Sequence, residues 1–584
     1  MRDGHEAPVP RGHKVWALLT YLACTPGRTH RAHLAALLFP EAQDPLAALR
    51  WNLSELRRLL GEVALRGECP ALQLQTDAFI DVQVVLAGTW AQALALPGLG
   101  RPLLEGMNFG ASAGFDVWLV SERRRVAAAT EGVLREAAQS RLAMGAPGEA
   151  AELASRLVGI NPLDENHQAL WVRSLAAAGD GVGAARQAAA AGELLRRELG
   201  VAPGPALAAA MQTATASPLA RPTTGRAAAI AQLEAGQAAV QAGAHEAGLQ
   251  CLRRAVLEAD ATCDASLRVR ARIALGGALV HAARGRDEEG VIALHEALAV
   301  TPPSLMPLAA AACRELGYVE FLRGRYDRAQ TWLDRAAAAA STDLGEQAAI
   351  ATVHGASLSD TGHYAQALAK LEAGVALARR SDDARQLAYA LSMLGRAHLL
   401  CGDLTAAGSA LQQSIEIARA RWTAFLPWPQ SLAAEVALER GDLQGAADQF
   451  EHAFALGCQM GDPCWEGIAG RGLGRVAAAR GLAAQAVELL LDSVRRSARL
   501  ADAYVWGKAY TLDALCGIAV SEKMPEASTW IDELQLVAAR SGMRELLARA
   551  HLHRFSLGDL GSGLAGRLLA ESIDNPVLRR LAAA

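Results

Sequence analysis

LGYVEFLRGRYDRAQTWLDRA, Leu316 to Ala336, reads as two helices folded back against each other. Leu316 and Gly317 belong to the first, Gly324 breaks the pattern, and Ala329 and Ala336 set small residues at helical spacing in the second. Antiparallel helices that cross closely need small side chains at the crossing, and glycine suits the tight turn between them. The same spacing returns as Gly355, Gly362, Ala367, then Gly395, Gly402, Ala407, then Gly474, Gly481, Ala486. The turn glycines are Gly243, Gly285, Gly324, Gly362, Gly402, Gly441 and Gly481, spaced 38–42 residues apart. A unit recurring at such a period cannot bury its apolar face alone and does so by stacking.

The pattern fits the TPR repeat position by position, with a period longer than the usual value of about 34, so its helices are long. An eighth, degraded unit around Ala527 is expected to cap the superhelix, whose end would otherwise expose apolar surface. Residues 226–584 thus read as a superhelix of about seven to eight TPR repeats. Its concave groove suits a protein, a peptide or a small effector. Pro203-Gly204-Pro205 and the stretch ATASPLARPTTG break the helical pattern, which places a linker at 215–225.

The chain has 584 residues, 52% of them apolar, and Leu- and Ala-rich helical patterning recurs almost throughout. A mostly all-α protein of several domains follows. Its net charge of −4 excludes a polycation, so nucleic-acid contact would need a local patch. Arg11 to Arg66 carries eight Lys/Arg against four Asp/Glu, a basic segment on an acidic body. No apolar run reaches the roughly 18 residues of a membrane span, and MRDGHEAPVPRG has no apolar signal core. Nine cysteines lack a pairing rhythm, which argues for a reducing compartment. The expectation is a cytoplasmic chain without membrane contact.

Near the N-terminus Val15, Leu18, Leu19 and Leu22 recur at helical spacing until Pro26-Gly27. Thr29 can cap a short second helix with Leu34, Leu37 and Leu38, ended by Pro40. Pro45 suits the first turn of a third helix, along which Leu46, Leu49, Leu53, Leu56 and Leu60 form an apolar stripe. Trp51, Ser54, Glu55 and Arg58 lie opposite that stripe, flanked by Arg50 and Arg57. Beyond Gly61, Leu72 and Leu74, then Ile80, Val82 and Val84, alternate with polar residues, as in a two-stranded ribbon. Three helices followed by a hairpin is the order of a winged helix-turn-helix, whose third helix enters the major groove.

HKVWALLTYLACTPGR, HLAALLFPEA, ALRWNLSELRRLLG and LQLQTDAFIDVQ together resemble the OmpR-type winged helix of SARP-type bacterial transcriptional regulators. Lys14 matches the basic start of helix one, Leu37 to Pro40 the end of helix two, and Asn52, Ser54, Leu56, Arg57 and Arg58 the recognition helix. The resemblance implies a DNA-binding set of Lys14, Arg28, Arg31, Arg50, Trp51, Asn52, Ser54, Arg57 and Arg58. Arg57 and Arg58 can pair with phosphate or a guanine edge, and Asn52 with adenine. The competing reading is a solvated arginine face. Trp51 can stack on the DNA or pack beneath the wing, and packing is the favoured expectation. Family members carry a small sheet ahead of helix one, and about a dozen residues precede this helix here, so either the true start lies further upstream or the domain is trimmed.

RPLLEGMNFG, FDVWLVSERRRV, NPLDENHQALWVRSLAAAGD and ELLRRELGVAPGPAL are similar to the bacterial transcriptional activator domain that follows this winged helix in SARP-type regulators. Met107-Asn108 stands where relatives often carry Phe-Asp. Gly145, Ala150 and Pro162, then Gly179 and Ala184, keep TPR spacing within it. The Glu122 to Arg125 cluster is expected to be a solvated helix face. The domains are therefore 1–88 winged helix, 89–214 activator domain, 215–225 linker and 226–584 repeat array.

No G-x-x-x-x-G-K-[ST] occurs, and Gly467, Gly470, Gly472 and Gly474 fall at helix-crossing positions instead of after a strand. Cys458 and Cys464 lack a second ligand pair, and His30 and His33 lack a third partner. No catalytic residue, metal site or cofactor is implied, and the expectation is not an enzyme. The leading reading is a regulator that binds double-stranded promoter DNA and takes a partner or effector in its repeat groove. The resemblance adds RNA polymerase and a second copy of the chain as partners. The alternative is a TPR scaffold whose truncated winged helix no longer binds DNA.

Overall fold

The computed structural model describes residues 10, 12–25, 29–60, 69–72, 79–109, 112–215, 225–283, 285–340, 342–500 and 504–583. Helix α1 (His13–Cys24) and α2 (Arg31–Leu38) form where the apolar spacing places them. His30, not Thr29, stands at the N-cap of α2, and its side chain makes no capping bond. In α3 (Pro45–Leu60), Asp44 Oδ1 accepts from the Ala47 N–H at 2.9 Å, satisfying one of the helix's orphan donors. Leu49, Leu53 and Leu56 bury against Val15, Leu18, Leu34 and Leu38 in one core. Leu46 points outward and Leu59 takes an inner position.

The expected ribbon is corrected at its second half. Ile80, Val82 and Val84 do not form a strand: Asp81–Ala87 is helix α4. Residues 73–78, the rest of that ribbon, lie outside the described residues. Val82, Val85 and Leu86 share the helix's buried side and pack with Cys24, Val126 and Ala129. Two periods compete in this segment, and burial on α1 selects the helical one. A capping box joins Thr89 and Gln92 at the start of α5 (Trp90–Leu94).

Next come α6 (Ala113–Ala143), α7 (Pro147–Ile160), α8 (Glu165–Ala177), α9 (Gly181–Leu199) and α10 (Pro205–Thr215). Gly145 and Gly179 adopt φ of 76° and 87° at the turns, and Ala150 and Ala184 are fully buried. Glu165 Oε2 and Oε1 accept from the Gly204 and Leu207 N–H groups at 3.0 and 2.9 Å, pinning the start of α10. Residues 216–224, most of the expected linker, lie outside the described residues.

Seven helical hairpins follow. They are α11 (Arg226–Gln241) with α12 (His245–Asp260), α13 (Ala265–His281) with α14 (Asp287–Ala299), and α15 (Met306–Leu322) with α16 (Tyr326–Ala339). Then come α17 (Leu344–Asp360) with α18 (Tyr364–Ser381), and α19 (Ala384–Leu400) with α20 (Leu404–Arg421). The last are α21 (Pro427–Glu439) with α22 (Leu443–Met460), and α23 (Pro463–Ala479) with α24 (Ala483–Ser497), before α25 (Val505–Ser521). Every turn glycine expected from the sequence adopts φ between 69° and 86°. Where the helices cross, a Cβ on Gly474 would sit 2.7 Å from Leu490 Cγ, and one on Gly317 3.0 Å from Leu333 Cγ. The first helix of each hairpin touches the first helix of the next, so these helices form one continuous layer. Gly467, Gly470, Gly472 and Gly474 all lie inside α23, buried between neighbouring helices.

The chain ends in α26 (Ala527–Ser541), α27 (Arg544–Ser556), α28 (Leu560–Glu571) and α29 (Pro576–Ala583). Two compact units result: Met1–Thr130 with Ala519–Ala584, and Glu131–Ile518. The segment around Ala527, expected to close the repeat array, is grouped with the N-terminal helices instead. Leu568 packs on the α1–α3 core, and Gly114 lies between Leu37 and Leu564. No single helix among the described residues is long and apolar enough to cross a membrane.

Candidate functional site

The outer side of α3 is the first candidate. Its leucines face the core, so Arg50, Trp51, Ser54 and Arg58 face outward, and Arg57 is half-buried at the edge. Trp51, expected to pack, is instead 54% exposed. Two of the arginines carry local counter-charges. Arg58 Nε and Nη2 donate to the two Glu55 oxygens at 2.9 and 2.6 Å, and Arg50 Nη2 stands 3.6 Å from Asp44. The Arg50–Asp44 pair is exposed on both sides and contributes little, whereas Glu55 is largely buried beneath Arg58.

Two expected contacts are corrected. Asn52, assigned to an adenine, is buried at 5% exposure among the leucines. Its Nδ2 donates to the Ala48 carbonyl at 2.8 Å, and its Oδ1 has no partner. One residue before Leu53, it lies within the inward arc of the helix. Lys14 is half-buried, donating to the Leu38 carbonyl at 2.7 Å and to Ser112 Oγ, with Phe39 beneath it. Burial pushes its ammonium pKa down. It braces α1 against the end of α2 and the start of α6. Arg31 is half-buried in the first turn of α2, and Arg28 lies outside the described residues.

His33 is half-buried: its Nε2 pairs with Tyr21 Oη at 2.9 Å, and burial lowers its pKa. Tyr21 in turn packs on Trp118 at 4.8 Å between ring centroids, and Trp118 stacks on Phe115 at 5.2 Å. Arg123 donates to the Leu103 and Leu104 carbonyls at 2.8 and 2.9 Å, and Arg125 pairs with Glu122 at 3.3 Å. The Glu122 to Arg125 cluster is therefore half-buried, with Glu122, Arg123 and Arg125 partnered, and is not a solvated face.

The second candidate is a cavity of about 900 Å³ in the unit Glu131–Ile518, lined mainly from the first helices of successive hairpins. Its wall is a run of touching rings. Tyr318 meets Phe321 at 6.1 Å and Phe321 meets Tyr504 at 5.1 Å. Tyr504 meets Trp428 at 6.1 Å, which meets Trp465 at 5.6 Å. Trp465 meets Phe425 at 6.0 Å, and Phe425 stacks on Trp422 at 4.4 Å with planes 12° apart.

Several charges on this lining are partnered, and Arg385 stands exposed beside them. Glu315 accepts from Arg314 at 2.7 Å and pairs with His281 at 2.7 Å. Although burial raises its pKa, Arg314 and His281 hold its carboxyl well below the usual range. Asp383 and Asp462 cap α19 and α23 through their backbone N–H groups. Sequence reading reached the groove but not these rings. The signal was present in WTAFLPWPQ (Trp422–Gln430), where aromatics concentrate in a chain that is only 5% aromatic.

The family model for the bacterial transcriptional activator domain matches residues 83–214. No curated protein matches the chain. Among solved structures, a Rap protein complexed with Competence and Sporulation Factor aligns over 61% of this chain and 98% of its own, at 13% identity and a TM-score of 0.45. NprR in complex with its cognate peptide NprX aligns over 53% and 91%, at 14% identity and a TM-score of 0.42. The apo quorum sensor NprR from B. thuringiensis aligns over 55% and 99%, at 13% identity and a TM-score of 0.37.

Proposed function

We propose that this chain is a cytoplasmic, non-enzymatic transcription regulator that binds promoter DNA through its N-terminal helix-turn-helix and a ligand through its repeat groove. The observation that carries the DNA half is the sidedness of α3: Leu49, Leu53 and Leu56 turned inward, and Arg50, Trp51, Ser54 and Arg58 turned out. An exposed arginine-bearing helix of this length fits a major groove. The activator-domain match over 83–214, directly after the helix-turn-helix, supports the same reading. In it, residues 1–88 bind DNA, 89–214 contact RNA polymerase or a second copy, and 226–584 take the ligand. A ligand shifts this equilibrium only by binding one arrangement of the chain more tightly than another.

Genomic fragment capture with the purified chain at two salt concentrations tests the reading. Enriched fragments whose binding falls steeply with salt are expected. Arg57→Ala with Arg58→Ala should weaken capture of all fragments and lower the salt slope by about two if both meet phosphate. Unchanged binding removes α3 from the interface. The second reading, a scaffold that does not bind DNA, is favoured by the pairing of Arg58 with Glu55 and of Arg50 with Asp44. It predicts no enrichment at either salt concentration.

A further inference from the structure

We infer that the cavity of the repeat unit is a binding site for a small aromatic acid, its ring set against the half-buried rings of the wall and its carboxylate on Arg385. The inference rests on the ligand half of the proposed function and narrows it from any groove partner to one chemical class.

Reachable ring surface is the first argument. Phe425, 3% exposed, is a buried hub. Trp422 stacks on it at 4.4 Å, while Tyr389 and Trp465 stand edge-on to it at 5.9 and 6.0 Å. These three outer rings are only half-buried, and all three line the cavity. Flat, polarisable surfaces held by one hub favour a flat, polarisable guest through stacking and edge-to-face contact. The volume of about 900 Å³ lies within the roughly 300–1,000 Å³ of small-molecule sites.

Charge is the second. Glu315 is matched by Arg314 and His281, each at 2.7 Å. Asp383 Oδ1 accepts from the Arg385 and Gln386 N–H groups at 3.0 Å, and Asp462 Oδ1 from those of Cys464 and Trp465 at 2.9 and 3.3 Å. Both aspartates thus sit at helix starts, where the positive end of the backbone dipole offsets their charge. Arg385 is left over. It is exposed, and its guanidinium makes no hydrogen bond or ion pair among the described residues. An anion arriving beside it gains a bidentate partner without displacing a carboxylate already there.

Spacing is the third. Arg385 and Tyr389 stand one turn apart on α19, and both line the cavity. Positions four apart share a helix face, separated by about 6 Å along the axis. A guest whose carboxylate lies about that far from its ring meets both at once. A neutral ring leaves the cation unused, and a cationic one meets a like charge.

The test uses the full chain with 1-naphthylacetate, indole-3-acetate and indole-3-propionate as probes. Each is compared with its primary amide and with the amine that replaces its carboxylate. Cyclohexylacetate supplies an acid without an aromatic ring, and a random hexapeptide pool supplies peptides. Isothermal titration calorimetry measures affinity. Maleimide labelling read by mass spectrometry reports the place, because Cys464 lines the cavity and Cys263 is exposed elsewhere. At least one aryl acid should bind with a Kd below about 1 mM, about tenfold tighter than its amide, its amine and cyclohexylacetate. It should slow the labelling of Cys464 and not that of Cys263. Arg385→Gln should remove the tenfold preference for acid over amide, and Arg385→Lys should restore part of it, with helical circular dichroism unchanged in both. The comparison of acid with amide needs no variant, so a poorly folding variant leaves the test intact. Equal binding of acid and amide, no binding by any aryl acid, or a preference that survives Arg385→Gln overturns the inference. Retention of peptides alone overturns it while keeping a groove-ligand regulator. Acid binding without DNA capture upholds it and removes the DNA half of the proposed function.

Discussion

Arg396 and Asp360 form an ion pair with no solvent contact on either side chain, Nη2 to Oδ1 at 2.6 Å. They come from α19 and α17, the first helices of adjacent hairpins, 36 residues apart. Tyr326 and Tyr504 donate to the other carboxylate oxygen at 2.9 and 2.7 Å, and the guanidinium lies 4.5 Å over Trp506. Glu435 and Arg471 repeat the arrangement at 2.9 Å, again 36 residues apart, on α21 and α23. The repeat stack is therefore pinned through its middle by charge as well as by leucine and alanine.

Arg396→Met should cost about 3–5 kcal/mol, because it leaves a buried carboxylate without its counter-ion. Arg396→Met with Asp360→Leu should recover a large part of that loss, since an apolar pair has no charge to strand. Urea unfolding of the wild type, the single and the double variant measures both. A double variant less stable than the single one would show that the tyrosine bonds outweigh the charge.

His295 predicts an acid transition. Burial, aided by Arg335, lowers its pKa from 6.5 to about 4, and it stands edge-on to Trp332 at 5.6 Å. The folded chain holds it neutral, whereas the unfolded chain protonates it below its ordinary value. Its contribution is fully present above pH 6.5 and is lost as pH falls toward 4, by about 3 kcal/mol at most. Thermal unfolding between pH 7.5 and 4.5 should show His295→Gln losing less stability than the wild type across that window. His551, also lowered to about 4, acts in the same sense in the other compact unit.

Two glycines should respond to alanine with opposite signs. At Gly474 the new methyl would meet Leu490 Cγ at 2.7 Å and the Ala486 carbonyl at 3.2 Å, so Gly474→Ala should destabilise by about 1–3 kcal/mol. At Gly277, inside α13, nothing lies within 4 Å, and Gly277→Ala should stabilise by about 0.4–1 kcal/mol. Chemical denaturation of the two variants side by side is the measurement.

Asn52 and Lys14 separate framework from interface. Asn52→Leu replaces a buried amide with an unpaired oxygen by a leucine in a leucine core and should raise stability by about 1–2 kcal/mol. Base preference should not change. Lys14→Met should lower stability by about 1 kcal/mol through its lost bonds and leave the salt slope of DNA binding untouched. A slope that drops by about one would return Lys14 to the DNA.

Much of this was legible before any coordinates. The spacing of Gly243 through Gly481 set the hairpins, and all seven glycines take the left-handed backbone that their turns need. Along the stripe on α3, Leu60 packs against the core with Leu49, Leu53 and Leu56, Leu59 joins them, and Leu46 alone stays outside. The Ile80 to Val84 segment was misread because three apolar residues at period two also satisfy a helix once Val85 and Leu86 count. Asn52 was misassigned because a helical wheel gives angles, while the width of the buried arc depends on what packs against it.

The sequence by itself determined the elements: where helices begin, where they turn, and which residues are small enough for two of them to cross. Those properties live within a few dozen residues of chain, in periodicity, glycine conformation and side-chain volume, so local order suffices to express them. Only the tertiary structure decided that α28 would complete the core beneath α1–α3, and that rings from Tyr318 to Tyr504 would enclose one cavity. Such contacts join segments hundreds of residues apart, and no local periodicity encodes which buried face meets which.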